Sequence, residues 1–279
     1  MGSLESPIRW VDAHLHVDLY EEKRRESMLK EAFAAGVAAV VAVSMDLASS
    51  RSNRALSLRH PGQVMPAYGF HPEQALPDAE TLEQLFNWLD DRLRAGEHFA
   101  IGEVGLPYYS RMEAKEKGAS FDEEPYIRLL ERFVKLAAET KLPIVLHAVY
   151  EDADGVCDLL ERHDVRRAHF HWFKGSASTV ERMARAGFFI SITPDVVYEP
   201  EIQQLVRDYP LELMMTETDG PWPFEGPFNG RETHPMMVQD VAAAIAELKG
   251  IAVEQAEIQL LNNAATCYRL PKLQPCKGE

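Results

Sequence analysis

Three cysteines in 279 residues, Cys157, Cys267 and Cys276, are few, odd in number and far apart, and none stands in a CxxC pair. That spacing excludes a disulfide scaffold and a zinc knuckle and fits a reducing compartment. Basic residues are outnumbered: 29 Lys and Arg face 44 Asp and Glu, for a formal net charge of −15. Nucleic-acid-binding faces concentrate Lys and Arg, so extended duplex binding is not expected, whereas a small molecule or a nucleic-acid end remains a reasonable substrate. No segment reaches the roughly 18 uninterrupted apolar residues of a membrane span, and no long apolar stretch precedes Trp10. A cytoplasmic protein without a membrane partner is the expectation. Gly2 and Ser6 match the N-myristoylation pattern in form, but no polybasic patch follows to supply a second anchor, and the match reads as coincidence or a remnant of cloning.

A glycine-rich phosphate loop is also missing. The first apolar run leads into Asp12-Ala13-His14-Leu15-His16, with no GxGxxG or Walker pattern after it. Internal repeats, low-complexity tracts and Pro/Ser linkers are absent too. What is present is a 46% apolar chain in which short β-branched runs alternate with helical periodicity. The predicted strands are Ile8–Ala13, Ala38–Val43, Val64–Tyr68, Phe99–Glu103, Ile144–His147, Ala168–His171, Phe188–Ile192 and Glu212–Thr216. Helices are predicted between them at Glu21–Ala35, Leu47–Arg59, Ala79–Ala95, Glu123–Lys141, Ala153–Arg162, Ala177–Ala186 and Glu199–Arg207, with two more at Pro235–Leu248 and Val253–Cys267. Gly36, Gly96 and Gly187 stand where helices should stop, and Asp78 where one should start. Eight β–α alternations without a break in composition favour an α/β architecture of the closed (β/α)₈ TIM-barrel type with extra C-terminal helices, one domain over 1–279. The charge runs Glu21–Glu26 and Glu113–Lys117 read as solvated faces.

Ionisable residues fall at the C-terminal ends of the predicted strands. His14 and His16 end the first, His71 follows the third, Glu103 ends the fourth, His147 the fifth and His171 the sixth, and Asp219 follows the eighth. In a (β/α)₈ barrel those ends converge on one mouth. Two residues apart on a strand, His14 and His16 point to one face and can chelate one metal. An HxH pair alone is a weak signal; four histidines and two carboxylates together form an N/O set suited to Zn²⁺, Mn²⁺, Ni²⁺ or Mg²⁺. Six such donors exceed the needs of one tetrahedral ion and suit two.

The motifs DAHLH, GFHP, IGEVGL, PIVLHA, HWFKG and TETDGPW occur in this order along nearly the whole chain. With them the sequence resembles the TatD family of metal-dependent hydrolases in the amidohydrolase superfamily. The resemblance implies a dinuclear centre with His14, His16, Glu103, His147, His171 and Asp219 as ligands, Glu103 standing where related members use a carboxylated lysine. It implies hydrolysis by a metal-activated water, with Asp219 as general base, Glu103 fixing the metal spacing, and His71 beside the substrate. His60, His98 and His163 read as surface residues, His169 as inner packing or support for His171, and His234, Trp172, Trp222 and Phe224 as neighbours of the mouth.

Four departures from the family pattern bear on substrate. Gly105-Leu106 is followed by Pro107 in place of the usual aspartate, and Ala148-Val149-Tyr150 follows His147 where an arginine is usual. His171-Trp172-Phe173-Lys174-Gly175 is bulkier and more basic than the family's form, and Arg231-Glu232-Thr233-His234-Pro235 replaces an asparagine-containing stretch. Lys174 and Arg231 are the candidate replacement contacts to phosphate. Three readings follow: a phosphodiesterase or DNase/exonuclease-like hydrolase, a hydrolase of amides, lactones or aminoacyl esters at the same centre, and a metal-bound scaffold without turnover. The complete ligand set speaks against the last.

Overall fold

The computed structural model describes residues 10–270, so Cys276, the Gly2/Ser6 pair and the start of the first predicted strand, Ile8 and Arg9, lie outside the described residues. Eight strands, β1 (Trp10–Leu15), β2 (Val37–Ala42), β3 (Val64–Tyr68), β4 (Ala100–Gly105), β5 (Ile144–His147), β6 (Ala168–Phe170), β7 (Phe189–Ile192) and β8 (Met214–Thr216), pair in parallel in chain order. They form a nearly closed (β/α)₈ barrel. Around it lie α1 (Glu22–Ala35), α2 (Leu47–Arg59), α3 (Ala79–Arg94), α4 (Tyr108–Glu116), α5 (Glu124–Thr140), α6 (Asp152–Arg162), α7 (Ala177–Ala186), α8 (Pro200–Asp208), α9 (Val238–Lys249) and α10 (Val253–Tyr268). Among the described residues no helix is long and apolar enough to cross a membrane.

Every predicted strand and helix is present among the described residues; β3, β5, α2 and α7 have the predicted ends, and the others shift by a few residues. The first strand runs on through Ala13 to Leu15, and the segment predicted to start the eighth, Glu212 and Leu213, is instead a 3₁₀ turn over Leu211–Leu213. Helix α4 was not expected. It carries no fully buried side chain, so its sequence has no strong apolar stripe, and the charge run Glu113–Lys117 at its C-terminal end disguises a helix as a solvated loop. The start and stop signals work as chemistry. The Asp78 carboxylate accepts from the Thr81 amide at 2.8 Å, and Gly36 and Gly187 end α1 and α7 in the left-handed conformation.

The barrel interior is filled by Val11, Ala13, Ala39, Val41, Met65, Ala67, Ala100, Val145, Phe189 and Met215, and plugged from below by Ala264, Cys267 and Tyr268 of α10. Simple alternation from Val11 and Ala13 would place Leu15 inside and the histidines outside. Instead the β1–β2 register shifts between Asp12 and Leu15, and Leu15 packs outward against Met28 and Leu29 of α1. The same device recurs in β4. Its register with β5 shifts between Ile101 and Val104, both of which pack in the outer core, and Glu103 between them turns to the interior. Two β-bulges thus re-aim ligand-type side chains into the mouth.

The seam between β8 and β1 is closed at the same level. Thr216 Oγ1 donates to the Val11 carbonyl at 2.7 Å, the Asp219 amide to the His14 carbonyl at 2.9 Å, and the His16 amide to the Gly220 carbonyl at 2.9 Å. Tight strand approach also explains Gly105, where a Cβ would stand 1.9 Å from the His147 carbonyl oxygen, whereas a Cβ at Gly155 in α6 meets nothing within 4 Å. Gly105→Ala is expected to cost about 1–3 kcal/mol through overpacking, and Gly155→Ala to stabilise by about 0.5–1 kcal/mol through helix propensity. Urea denaturation measures both; equal effects at the two sites would contradict this packing.

Candidate metal centre

Glu103 lies at the middle of the mouth, fully buried, with its two oxygens facing different histidines. Oε2 stands 3.1 Å from His14 Nε2 and 3.2 Å from His16 Nε2. Oε1 stands 2.7 Å from His171 Nε2, 3.1 Å from His147 Nδ1 and 3.4 Å from His71 Nε2. Asp219 Oδ1 joins the first set, 3.4 Å from His14 Nε2 and 3.5 Å from His16 Nε2. All six residues singled out as ligands therefore meet in one place, from five strand ends, and His71 meets them.

The donor set suits a cation. His14 Nε2, Glu103 Oε2 and Asp219 Oδ1 are buried without a hydrogen-bond partner although they converge on one another, which is costly for lone pairs unless positive charge lies between them. Among the described residues, three groups have the mutual spacing to hold an ion: His14, His16 and Glu103; His14, His171 and Asp219; and His71, Glu103 and His147. Imidazole and carboxylate donors without thiolate fit a divalent ion such as zinc, manganese or nickel.

Electrostatics follow from this crowding. Burial pushes the Glu103 carboxyl up, but His171, His71 and His14 outweigh it and hold it well below the carboxylate range. Burial and the facing Glu103 raise Asp219 well above it. His171 is lowered to about 4 by burial, whereas His147, opposed by burial but bonded to Glu103 and Glu73, is raised to about 9. Of the cluster's imidazoles, His147 is the one whose surroundings favour the protonated form.

Buried polar groups hold the ligands in position. Asp12 Oδ1 accepts from the Thr218 amide at 3.0 Å and Oδ2 from the Thr218 hydroxyl at 2.5 Å, locking the loop of Asp219 to β1. His169 supports from beneath: it bonds Tyr268 Oη and Ser191 Oγ, each at 2.5 Å, and Ser191 donates to Glu217 at 2.6 Å. Glu217 in turn accepts from the Trp172 amide at 2.7 Å and lies 4.0 Å from His171 Nδ1.

Above the centre opens a cavity of about 350 Å³ lined by His16, His71, Glu73, Tyr109, His147, Val149, His171, Trp172, Asp219 and Trp222. Glu73 and Tyr109 were not singled out in the sequence. Glu73 follows a motif histidine at a position with no pattern of its own, and Tyr109 sits on the unexpected helix. Lys174 and Arg231 stand outside this lining: Lys174 Nζ lies over the Trp172 ring at 5.6 Å and the Arg231 guanidinium over Phe228 at 5.4 Å. Phe224 is buried against Phe228 and Met237, and His234 turns toward Glu31 at 3.4 Å. Away from the mouth, His60 and His163 are half-buried and His98 is exposed; they bond to Glu26, Glu131 and the Tyr268 carbonyl respectively.

A (β/α)₈ barrel with a histidine–carboxylate cluster at its C-terminal mouth fits the metal-dependent hydrolase class. Residues 11–269 match the model of the TatD-related DNase family, and the chain belongs to that family as a metal-dependent hydrolase. It is 36% identical over 259 residues to an uncharacterised metal-dependent hydrolase of Haemophilus influenzae, covering 93% of this chain and 99% of the relative. It is 31% identical over 270 residues to the human deoxyribonuclease TATDN3, covering 95% of each. The crystal structure of the TatD homologue YjjV from Escherichia coli superposes with a TM-score of 0.81 at 27% identity, over 95% of this chain and 99% of that one.

Proton storage gives a direct test. A ligand histidine must be neutral to bind metal, and His147, raised to about 9, is protonated at neutral pH in the metal-free protein. Loading with Zn²⁺ at pH 7.5 is therefore expected to release about one proton or more per chain, with affinity rising as pH rises toward 9. Calorimetry in two buffers of different ionisation enthalpy reads this release; binding without it would show that the centre holds no such proton.

Proposed function

We propose that this hydrolase cleaves phosphodiester bonds at nucleic-acid ends or in small phosphodiesters, with two divalent ions, Zn, Mn, Ni or Mg, held by His14, His16, Glu103, His147, His171 and Asp219. The observation that carries the two-ion reading is the division of the Glu103 oxygens, Oε2 toward His14 and His16 and Oε1 toward His147 and His171. The phosphodiester reading is supported by the 31% identical human relative named a deoxyribonuclease. When bound, the cations supply Lewis-acid charge at the reacting bond and lower the pKa of the attacking water.

The residues of this chain do the rest. Asp219, at the floor of the cavity, takes the proton of the attacking water and delivers it to the leaving oxygen. Glu103 keeps the two ligand sets at fixed separation. His71 borders both the ligands and the cavity, where its ring can donate to a phosphate oxygen. Lys174 and Arg231, on the aromatic rim outside the lining, meet phosphates beyond the reacting one. With no lysine or arginine in the cavity lining and a charge of −15 overall, intact duplex has little to grip.

That same lining favours one competing reading. A cavity walled by Tyr109, Trp172, Trp222 and Val149 accommodates an uncharged amide, lactone or aminoacyl ester as well as a phosphodiester.

A hydrolysis panel with Mn²⁺- or Zn²⁺-loaded protein separates them. Single-stranded oligonucleotides and nitrophenyl phosphodiesters are expected to turn over, and Asp219→Asn to lower that turnover by about 10²-fold or more. A kcat/KM at least about a hundredfold higher on lactones or N-acyl amino acids, about 2.7 kcal/mol of discrimination, would replace the phosphodiester reading with the carboxyl-side one.

A further inference from the structure

Glu73, in the loop after β3, is a carboxylate at the mouth with bonds to two separate elements. Its Oε1 accepts from the Tyr109 amide at 2.8 Å and its Oε2 from the Ser110 amide at 2.7 Å and the Ser110 hydroxyl at 2.5 Å. These amides belong to the first turn of α4, whose own N-cap position is Pro107 and offers no side-chain acceptor. A carboxylate at a helix N-terminus satisfies orphan amides and meets the positive end of the helix dipole. Glu73 is thus a cap supplied to α4 from another loop, 36 residues away in sequence from Tyr109.

The same carboxylate reaches the ligand cluster. His147 Nε2 lies 3.3 Å from Glu73 Oε1, while His147 Nδ1 faces Glu103 and His171, each at 3.1 Å. An ionised carboxylate is an acceptor only, so this contact calls for a proton on Nε2, and when His147 is neutral, as metal binding requires, its Nδ1 lone pair is directed at the centre. A second partner of this kind sets the tautomer and ring orientation of metal-binding histidines in general.

We propose that Glu73 is a positioning residue that fixes His147 for metal binding through Nδ1 and, by capping α4, holds the Tyr109 wall of the cavity against the same histidine. The two tasks share one side chain, so the ligand and the substrate wall are placed relative to each other. The Tyr109 and His147 rings lie 6.0 Å apart, centroid to centroid, in keeping with that arrangement. The proposal rests on the reading of His147 as a ligand, and its test treats the two separately.

Zn²⁺ affinity by calorimetry and the His147 tautomer by long-range ¹H–¹⁵N NMR of the Zn²⁺-loaded protein are to be measured in wild type, Glu73→Ala, Glu73→Gln and His147→Ala. Glu73→Ala is expected to weaken Zn²⁺ binding about 10- to 100-fold. Glu73→Gln keeps one oxygen for the α4 amides and so preserves the fold if the alanine variant does not; it too is expected to weaken binding and to disturb the Nε2–H tautomer seen in wild type. Unchanged affinity and tautomer in Glu73→Gln, with binding lost in His147→Ala, would overturn the role of Glu73 and leave the metal centre standing. Unchanged Zn²⁺ binding in His147→Ala would overturn the ligand reading itself.

Discussion

An ionised carboxylate in the fully buried centre of a barrel mouth costs several kcal/mol unless compensating charge surrounds it, and Glu103 sits in that position with an imidazole on every side. Without a cation, the compensation comes from histidine: His147 is raised to about 9 and Asp219 is pushed well above the carboxylate range, while burial holds His14 and His171 below the usual imidazole range. Like charges and buried lone pairs are balanced only in part by this, as the unpartnered atoms of His14, Glu103 and Asp219 show. A divalent cation would complete the balance, and the donors are already gathered to receive it.

Backbone irregularity makes that gathering possible. Regular strands would alternate Val11 and Ala13 with outward histidines and would send Glu103 to the same face as Ile101. Bulges in β1 and β4 reverse both, at the two strands that carry His14 and Glu103. The hydrogen bonds joining the ends of β1 and β8 then hold Asp219 across from the histidine pair. Beneath, the chain from Tyr268 through His169, Ser191 and Glu217 fixes the floor, and Asp12 ties the Asp219 loop to β1. The fold does little chemistry itself; it supplies rigid anchor points for groups that would otherwise repel one another.

Much of this was legible in the residues. Strand order, helix count short of one, and the convergence of His14, His16, Glu103, His147, His171 and Asp219 follow from alternation of short apolar runs with helical periods and from the placement of ionisable groups at strand ends. The bulges were not legible, because a register shift depends on the neighbouring strand and leaves no local signature. Helix α4 escaped because it buries nothing completely, and Glu73 because its importance arises from an amide and an imidazole distant in sequence. Lys174 and Arg231 show the converse: both stand close in sequence to mouth residues, yet neither lines the cavity, and their loops turn them onto the rings of Trp172 and Phe228. Position in a motif gives the neighbourhood of a side chain, and the loop backbone decides its direction.

The central claim is that one carboxylate, Glu103, divides the mouth between two cations. Metal content measured by elemental analysis, after loading with Mn²⁺ or Zn²⁺ and removal of loosely held ions, tests it most directly. Wild type is expected to hold about two ions per chain, and Glu103→Ala about one or fewer with weakened binding of what remains. A single ion held equally tightly by wild type and Glu103→Ala would contradict it.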